Sequence, residues 1–223
     1  MGSVIGDILP LALGVAISPI PIIAAILMLL APKARGASVG FLVGWLLGIV
    51  VGVVVFTLLA SIIPEQDPDA SKPVAGTIKI LLGAGLLLLA LKQWRSRPKP
   101  GEAEALPKWM AAIDTITPGR SFGLAFVLAA VNPKNLLMAA GAGVIIGTGN
   151  LTAGATALAV GVFVVIAASS VAIPVIAYLV ASERMKAPLG ALRAWLVHNN
   201  ATVMAVLLLV IGVVMIGKGI GSF

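Results

Sequence analysis

The chain has 223 residues, of which 60% are hydrophobic and 10% charged, with a formal net charge of +7. That balance excludes a soluble domain and describes an integral membrane protein with little outside the bilayer. Long apolar runs indicate helices, because a membrane barrel would alternate over segments of about 10 residues.

The remaining exclusions follow from single residue types. There is no cysteine, which removes disulfides, thiol redox chemistry and thiolate metal sites. The single histidine, His198, removes His-cluster metal sites, so neither metal nor cofactor is expected. In a soluble chain the positive charge would suggest nucleic acid. Here it reads as loops held on the cytoplasmic side, and nucleic acid is not an expected partner.

Span 1 runs from Val4 to Ala31. Straight, it would be about 42 Å long, so it must tilt or break, and Ser18-Pro19-Ile20-Pro21 is the expected place. Those prolines leave the carbonyls of Val15 and Ile17 without helical partners. No basic segment precedes this run, and it is too long for a signal sequence, so it is expected to stay as a span. A short basic turn, Pro32-Lys33-Ala34-Arg35-Gly36, follows.

Span 2 covers residues 38–63. Gly40, Gly44, Gly48 and Gly52 recur every fourth residue along one helix face, where another backbone can approach closely. Packing within the chain is expected over a dimer seam, though a homodimer stays open. An acidic loop, Pro64-Glu65-Gln66-Asp67-Pro68-Asp69, leads to span 3 at residues 74–91. Residues 93–120 form a polar linker in which Trp109, Met110, Ile113 and Ile116 share a helical face, so a short interfacial helix is expected.

Span 4, residues 121–147, carries Asn132-Pro133-Lys134-Asn135 at its middle. Lys134 lies about 21 Å along the helix from Arg120, inside a hydrocarbon core about 30 Å thick. A lysine there costs about 2.5–3.5 kcal/mol on insertion scales, so it must face protein, water or a ligand. Pro133 frees the carbonyl of Ala129 and bends the helix. Span 5 covers residues 151–181, where Gly149, Ala153, Ala157 and Gly161 repeat the small-residue row and Ser169, Ser170 and Pro174 interrupt the later half. Residues 182–199 are polar but amphipathic, and span 6 covers 201–220.

Charge sets the expected topology. The segments after spans 1, 3 and 5 hold eleven of the 15 Lys and Arg, which places loops 32–37, 92–120 and 182–199 in the cytoplasm and both termini outside. Trp94, Trp109 and Trp195 fall on that same side, as interfacial anchors would. Six spans then divide into residues 1–92 and 121–223, two three-helix repeats of opposite orientation. Ser18-Pro19 and Asn132-Pro133 meet at similar depth on antiparallel kinked helices, the arrangement that makes a midplane substrate site. The expected fold is thus an all-α membrane protein of six helices in two inverted repeats, with helices 1 and 4 kinked or broken.

The run Ser18-Pro19-Ile20-Pro21-Ile22-Ile23-Ala24 through Pro32-Lys33-Ala34-Arg35, with Asn132-Pro133-Lys134-Asn135-Leu136, resembles the lysine-exporter (LysE) superfamily, and within it the glycolipid-addressing, or sulfolipid-addressing, branch. The resemblance covers essentially the whole chain. It implies a six-helix exporter of two three-helix repeats, moving cell-envelope glycolipids across the inner membrane of a bacterium. The paired cysteines of the superfamily's thiol-redox members are missing, and no intramembrane carboxylates suit a divalent cation.

The candidate substrate-binding residues are Ser18, Pro19, Pro21, Asn132, Pro133, Lys134, Asn135, Ser169 and Ser170. Lys134 has three readings: an anion contact, a proton carrier alternating between charged and neutral, or a cap on the carbonyls freed by the prolines, touching no substrate. Ser169 and Ser170 either line the same cavity or bond back within their helix. Asp7 belongs at the outer interface as a solvated or helix-start carboxylate. His198 has no partner for nucleophilic chemistry. No cluster of His, Asp or Glu supports a membrane-embedded enzyme, so none is expected. Membrane lipids are the expected partners. Small-solute export, and an accessory role docking lipid-synthesis or export machinery at the cytoplasmic segment 92–120, are the competing functions.

Overall fold

A computed structural model describes residues 1–31, 34–62, 73–96, 113 and 116–223. Those residues are helical, with no strand among them: α1 (Gly2–Ala16), α2 (Pro19–Leu30), α3 (Ala34–Ser61), α4 (Pro73–Arg95), α5 (Pro118–Ala130), α6 (Pro133–Gly147) and α7 (Ala153–Ile220). The basic turn at 32–33, the acidic loop at 64–69 and most of the linker helix expected within 93–120 lie outside the described residues.

A polar residue followed by proline starts three of these helices. Proline pushes the residue before it out of the helical region and fits the first helical position, where its missing N–H would have no partner anyway. Ser18 (φ −114°, ψ 97°) and Asn132 (φ −60°, ψ 123°) are accordingly extended, and Thr117 caps α5 before Pro118. The result is two bent pairs: α1 meets α2 at 50°, and α5 meets α6 at 60°. Three helices (α3, α4 and α7) are each long and apolar enough to cross a membrane, or five spans if each bent pair counts as one.

α7 departs from the expected pattern. Its 68 residues would measure about 102 Å if straight, but Ala181 leaves the helical region (φ −141°, ψ 58°) and divides it into two limbs. The interruption expected near Ser169, Ser170 and Pro174 is absent; Pro174 is buried within a continuous first limb. Membrane helices tolerate an interior proline where packing holds the flanks. Residues 182–199 are helical and run on into 201–220, with Leu189 and Leu196 buried and Leu192 and Trp195 exposed.

Small residues set the packing. Without a hydrophobic force between helices in lipid, close approach of backbones decides which faces meet. α3 turns Gly40, Gly44 and Gly48 onto α5: a Cβ at Gly48 would lie 2.6 Å from the Ala129 Cβ, and one at Gly44 would strike the Phe122 carbonyl. The row one position earlier, Val39, Val43, Leu47, Val51 and Val55, lies about 100° round the helix and is exposed, as a lipid-facing surface requires. In α7 the second small-residue row is not used this way. Ala153, Ala157 and Gly161 are exposed, while Ala159, Phe163, Ala167 and Val171 are buried instead.

The close approaches give the helix directions. Residues 40, 44 and 48 of α3 meet 118, 122 and 126 of α5 in order, so these helices run parallel. Gly76 meets Gly219 and Gly83 meets Gly212, so α4 and the second limb of α7 run antiparallel. Gly14 abuts Met138 while Gly141 abuts Leu11, so α1 and α6 are antiparallel and cross where the bends lie.

Candidate functional site

The two bends are joined by side chains from one of them. Lys134, in the first turn of α6, reaches the end of α1 and donates to the carbonyl of Gly14 at 2.6 Å and to the hydroxyl of Ser18, with a longer contact of 3.5 Å to the carbonyl of Ile17. Each acceptor is available for a local reason. Pro21 has no N–H for the Ile17 carbonyl. The Ser18 N–H, which would have closed on Gly14, turns to the Ala16 carbonyl as the helix ends. A helix C-terminus also carries negative partial charge, which favours a cation there.

Asn135 does the same for the other bend. Its Nδ2 donates to the Leu128 carbonyl at 3.0 Å, seven residues back across the break, while its Oδ1 lies 3.5 Å from the Ser18 hydroxyl. Asn132 closes the first turn of α6, its side chain accepting from the Lys134 N–H at 3.0 Å. Ser18 makes no such cap for α2: the N–H at the third helical position is missing because that residue is Pro21, and the hydroxyl accepts from Lys134 and donates to the Asn135 Oδ1 instead. The network is one-sided: α6 supplies the side chains, and α1 supplies mostly backbone carbonyls.

Magnitudes explain why a lysine is tolerated here. A hydrogen bond from a charged group contributes about 1.5–3 kcal/mol. The Gly14 and Ser18 bonds together therefore offset an insertion cost of about 2.5–3.5 kcal/mol. Lys134 is 5% exposed, Asn135 2% and Ser18 3%, so all three belong to the interior.

Beside this network lies a cavity of about 190 Å³. Ser18, Pro19, Pro21, Asn132, Pro133 and Lys134 form one wall. Leu89, Lys92 and Gln93 of α4 and Asn200, Met204 and Leu208 of α7 form the other. The bends therefore gather six of the nine expected site residues on the cavity, and Asn135 sits behind them. Ser169 and Ser170 do not line it: the Ser169 hydroxyl bonds back to the Ile166 carbonyl at 2.7 Å, and the Ser170 hydroxyl is buried without a partner.

Sequence reasoning missed the α4 and α7 side of the cavity. Lys92, Gln93 and Asn200 stand at the polar margins of their apolar runs, which is the one signal that separates them from lipid-facing neighbours. It also missed the partner of Asp7. That carboxylate pairs with Lys218, tying α1 to the end of α7. Among the described residues no group of three or more His, Cys, Asp or Glu could hold a metal ion.

A family model described as Sap, sulfolipid-1-addressing protein, matches residues 8–221. Among curated proteins and among solved structures, none matches the chain.

Proposed function

Since the chain belongs to the sulfolipid-1-addressing protein family, we propose that it is an exporter of the bacterial plasma membrane, within the wider lysine-exporter superfamily. Its cargo is an anionic or amphipathic envelope molecule, a glycolipid or its precursor. It carries that cargo by alternating access around the bends at Ser18-Pro19 and Asn132-Pro133.

The observation that carries this reading is the cavity of about 190 Å³ against two bent helices that cross in opposite directions. Broken helices around a cavity between two repeats are the recurring architecture of secondary transporters. In this reading each bent pair is one span and the two limbs of α7 are two more, giving six. Helix directions agree with the charge pattern: α3 and α5 run together, while α4 opposes the second limb of α7. The glycine pairs are also reciprocal. Moving 136 positions along the chain takes Gly76 to Gly212 and Gly83 to Gly219, so the contact 76 to 219 exchanges with the contact 83 to 212. Any antiparallel pair with glycines seven apart on each helix makes that exchange, and an inverted repeat is one arrangement that places them so. Loops 32–37 and 92–120 and the segment 182–199 then lie in the cytoplasm, and both termini outside.

Lys134 acts in this scheme as the link between the bends. Moving one repeat against the other requires its bonds to Gly14 and Ser18 to break and re-form. The test is flux of a labelled anionic glycolipid by the purified protein in vesicles, where export by the protein alone also separates transport from an accessory role. Wild-type protein that inserts but moves no lipid would overturn the reading. The cavity volume equally suits a small solute such as an amino acid, and an amino-acid arm in the same assay decides between them.

A further inference from the structure

The hydrogen bonds of Lys134 leave it poorly placed to hold an anion. Its ammonium has three protons, and Gly14, Ile17 and Ser18 face all three. The start of α2 offers little in its place, because Pro19 and Pro21 have no N–H and the Ile22 N–H already bonds the Ser18 carbonyl. The cavity has one other cation on its wall, Lys92, in the last turn of α4. It is exposed and makes no ion pair with any described residue.

Lys92 also lines a second hollow of about 390 Å³, with Leu88, Leu91, Arg95 and Ser96, and is the residue common to the two. The two hollows differ in character. On the cavity side stand Gln93 and Asn200, and the Asn200 Oδ1 is buried with no donor. On the outer side Leu88 is 69% exposed and Leu91 46%. The cavity is too small for a whole lipid: at about 30 Å³ per water it holds roughly six waters, whereas pockets that enclose drug-sized ligands start at about 300 Å³.

We propose that Lys92 is the anion-binding residue of the cargo site. The headgroup of an anionic, hydroxylated amphiphile sits against Lys92 with its hydroxyls toward Gln93 and Asn200, and its tail lies outside along Leu88 and Leu91. Arg95 flanks the same anion from the outer side. This rests on the export reading and names where its cargo is recognised: at the cytoplasmic end of α4, with the tail still in the membrane. Lys134 is then a positioning residue and Lys92 a contact.

The test is a binding titration of the purified full chain in neutral detergent, using an alkyl glucoside carrying a sulfate ester and the same glucoside without it. Wild type is expected to prefer the sulfated probe at least tenfold. Lys92→Gln should lose that preference while binding the neutral glucoside unchanged, and Lys92→Arg should keep it. Lys186→Gln, on the exposed part of α7 and paired in the native chain with Glu183, should behave as wild type. Inorganic sulfate at equal concentration should fail to displace the probe, because the tail supplies part of the affinity. Retained preference in Lys92→Gln, or full displacement by inorganic sulfate, would overturn the assignment. Because the assay reads binding alone, a protein that binds selectively but moves no lipid would instead overturn export and leave the site in place.

Discussion

Lys134 donates to the carbonyl of Gly14 at 2.6 Å across 120 positions of sequence, and so ties the end of α1, just before one bend, to the start of α6, just after the other. Gly14 is suited to that role because it has no side chain. A Cβ there would lie 2.6 Å from Ile211 and 2.7 Å from the sulfur of Met138.

Replacing Lys134 with Met should reduce lipid flux in vesicles more than tenfold while the protein still inserts. The substitution leaves the Gly14 carbonyl without a donor, at a cost of about 1–3 kcal/mol. Flux per inserted protein, compared with wild type, checks this. Equal flux would remove Lys134 from the moving parts.

The glycine row of α3 makes a matched comparison possible. Alanine normally stabilises a helix by about 1 kcal/mol relative to glycine. At Gly161, with open space around it, Gly→Ala should be neutral or stabilising. At Gly44 the same change drives a methyl into the Phe122 backbone and should destabilise by about 1–3 kcal/mol. Thermal unfolding of both variants in detergent gives the sign of each effect.

Asn132→Ala removes the side chain that accepts from the Lys134 N–H. Loss of a helix cap costs about 1 kcal/mol. The unfolding midpoint should fall, and Asn132→Ser or Asn132→Asp should recover most of it, since either can cap. Failure of both to recover would mean that the amide is needed for something other than capping.

The Asp7–Lys218 pair is partly exposed, at 44% and 26%, so neutralising either residue should change stability by less than about 1 kcal/mol. Its position predicts a larger effect on transport. With cysteines at both positions in this cysteine-free chain, a reducible bifunctional thiol cross-linker that spans the length of the replaced lysine should stop flux and reduction should restore it, because the proposed alternating access requires these ends of α1 and α7 to part. Unimpaired flux in the cross-linked protein would show that they stay together.

Topology has a direct check. Ser61 and Ser96 are exposed at the ends of α3 and α4, each hydroxyl bonded only within its own helix. Single cysteines there should label from opposite sides of the membrane, Ser96→Cys from the cytoplasm. Labelling of both from one side would invalidate the span count.

Which parts were legible in the sequence follows from how local each signal is. A polar residue before proline breaks a helix through its own backbone, so Ser18-Pro19 and Asn132-Pro133 marked both bends directly. Span lengths and the glycine row of α3 are likewise properties of a single helix, as is the cost of a lysine amid apolar residues. The partners of that lysine are not. Gly14 accepts through its backbone, which every residue has, so nothing in the sequence distinguishes it, and only the crossing of α1 and α6 selects it. The same holds for Asp7 with Lys218 and for the α4 wall that brings Lys92 to the cavity; the break at Ala181, by contrast, falls where the apolar run of span 5 gives way to the polar segment 182–199. Of two similar small-residue rows, one packs against α5 and the other is exposed. That choice depends on which backbone arrives, and only the assembled bundle decides it.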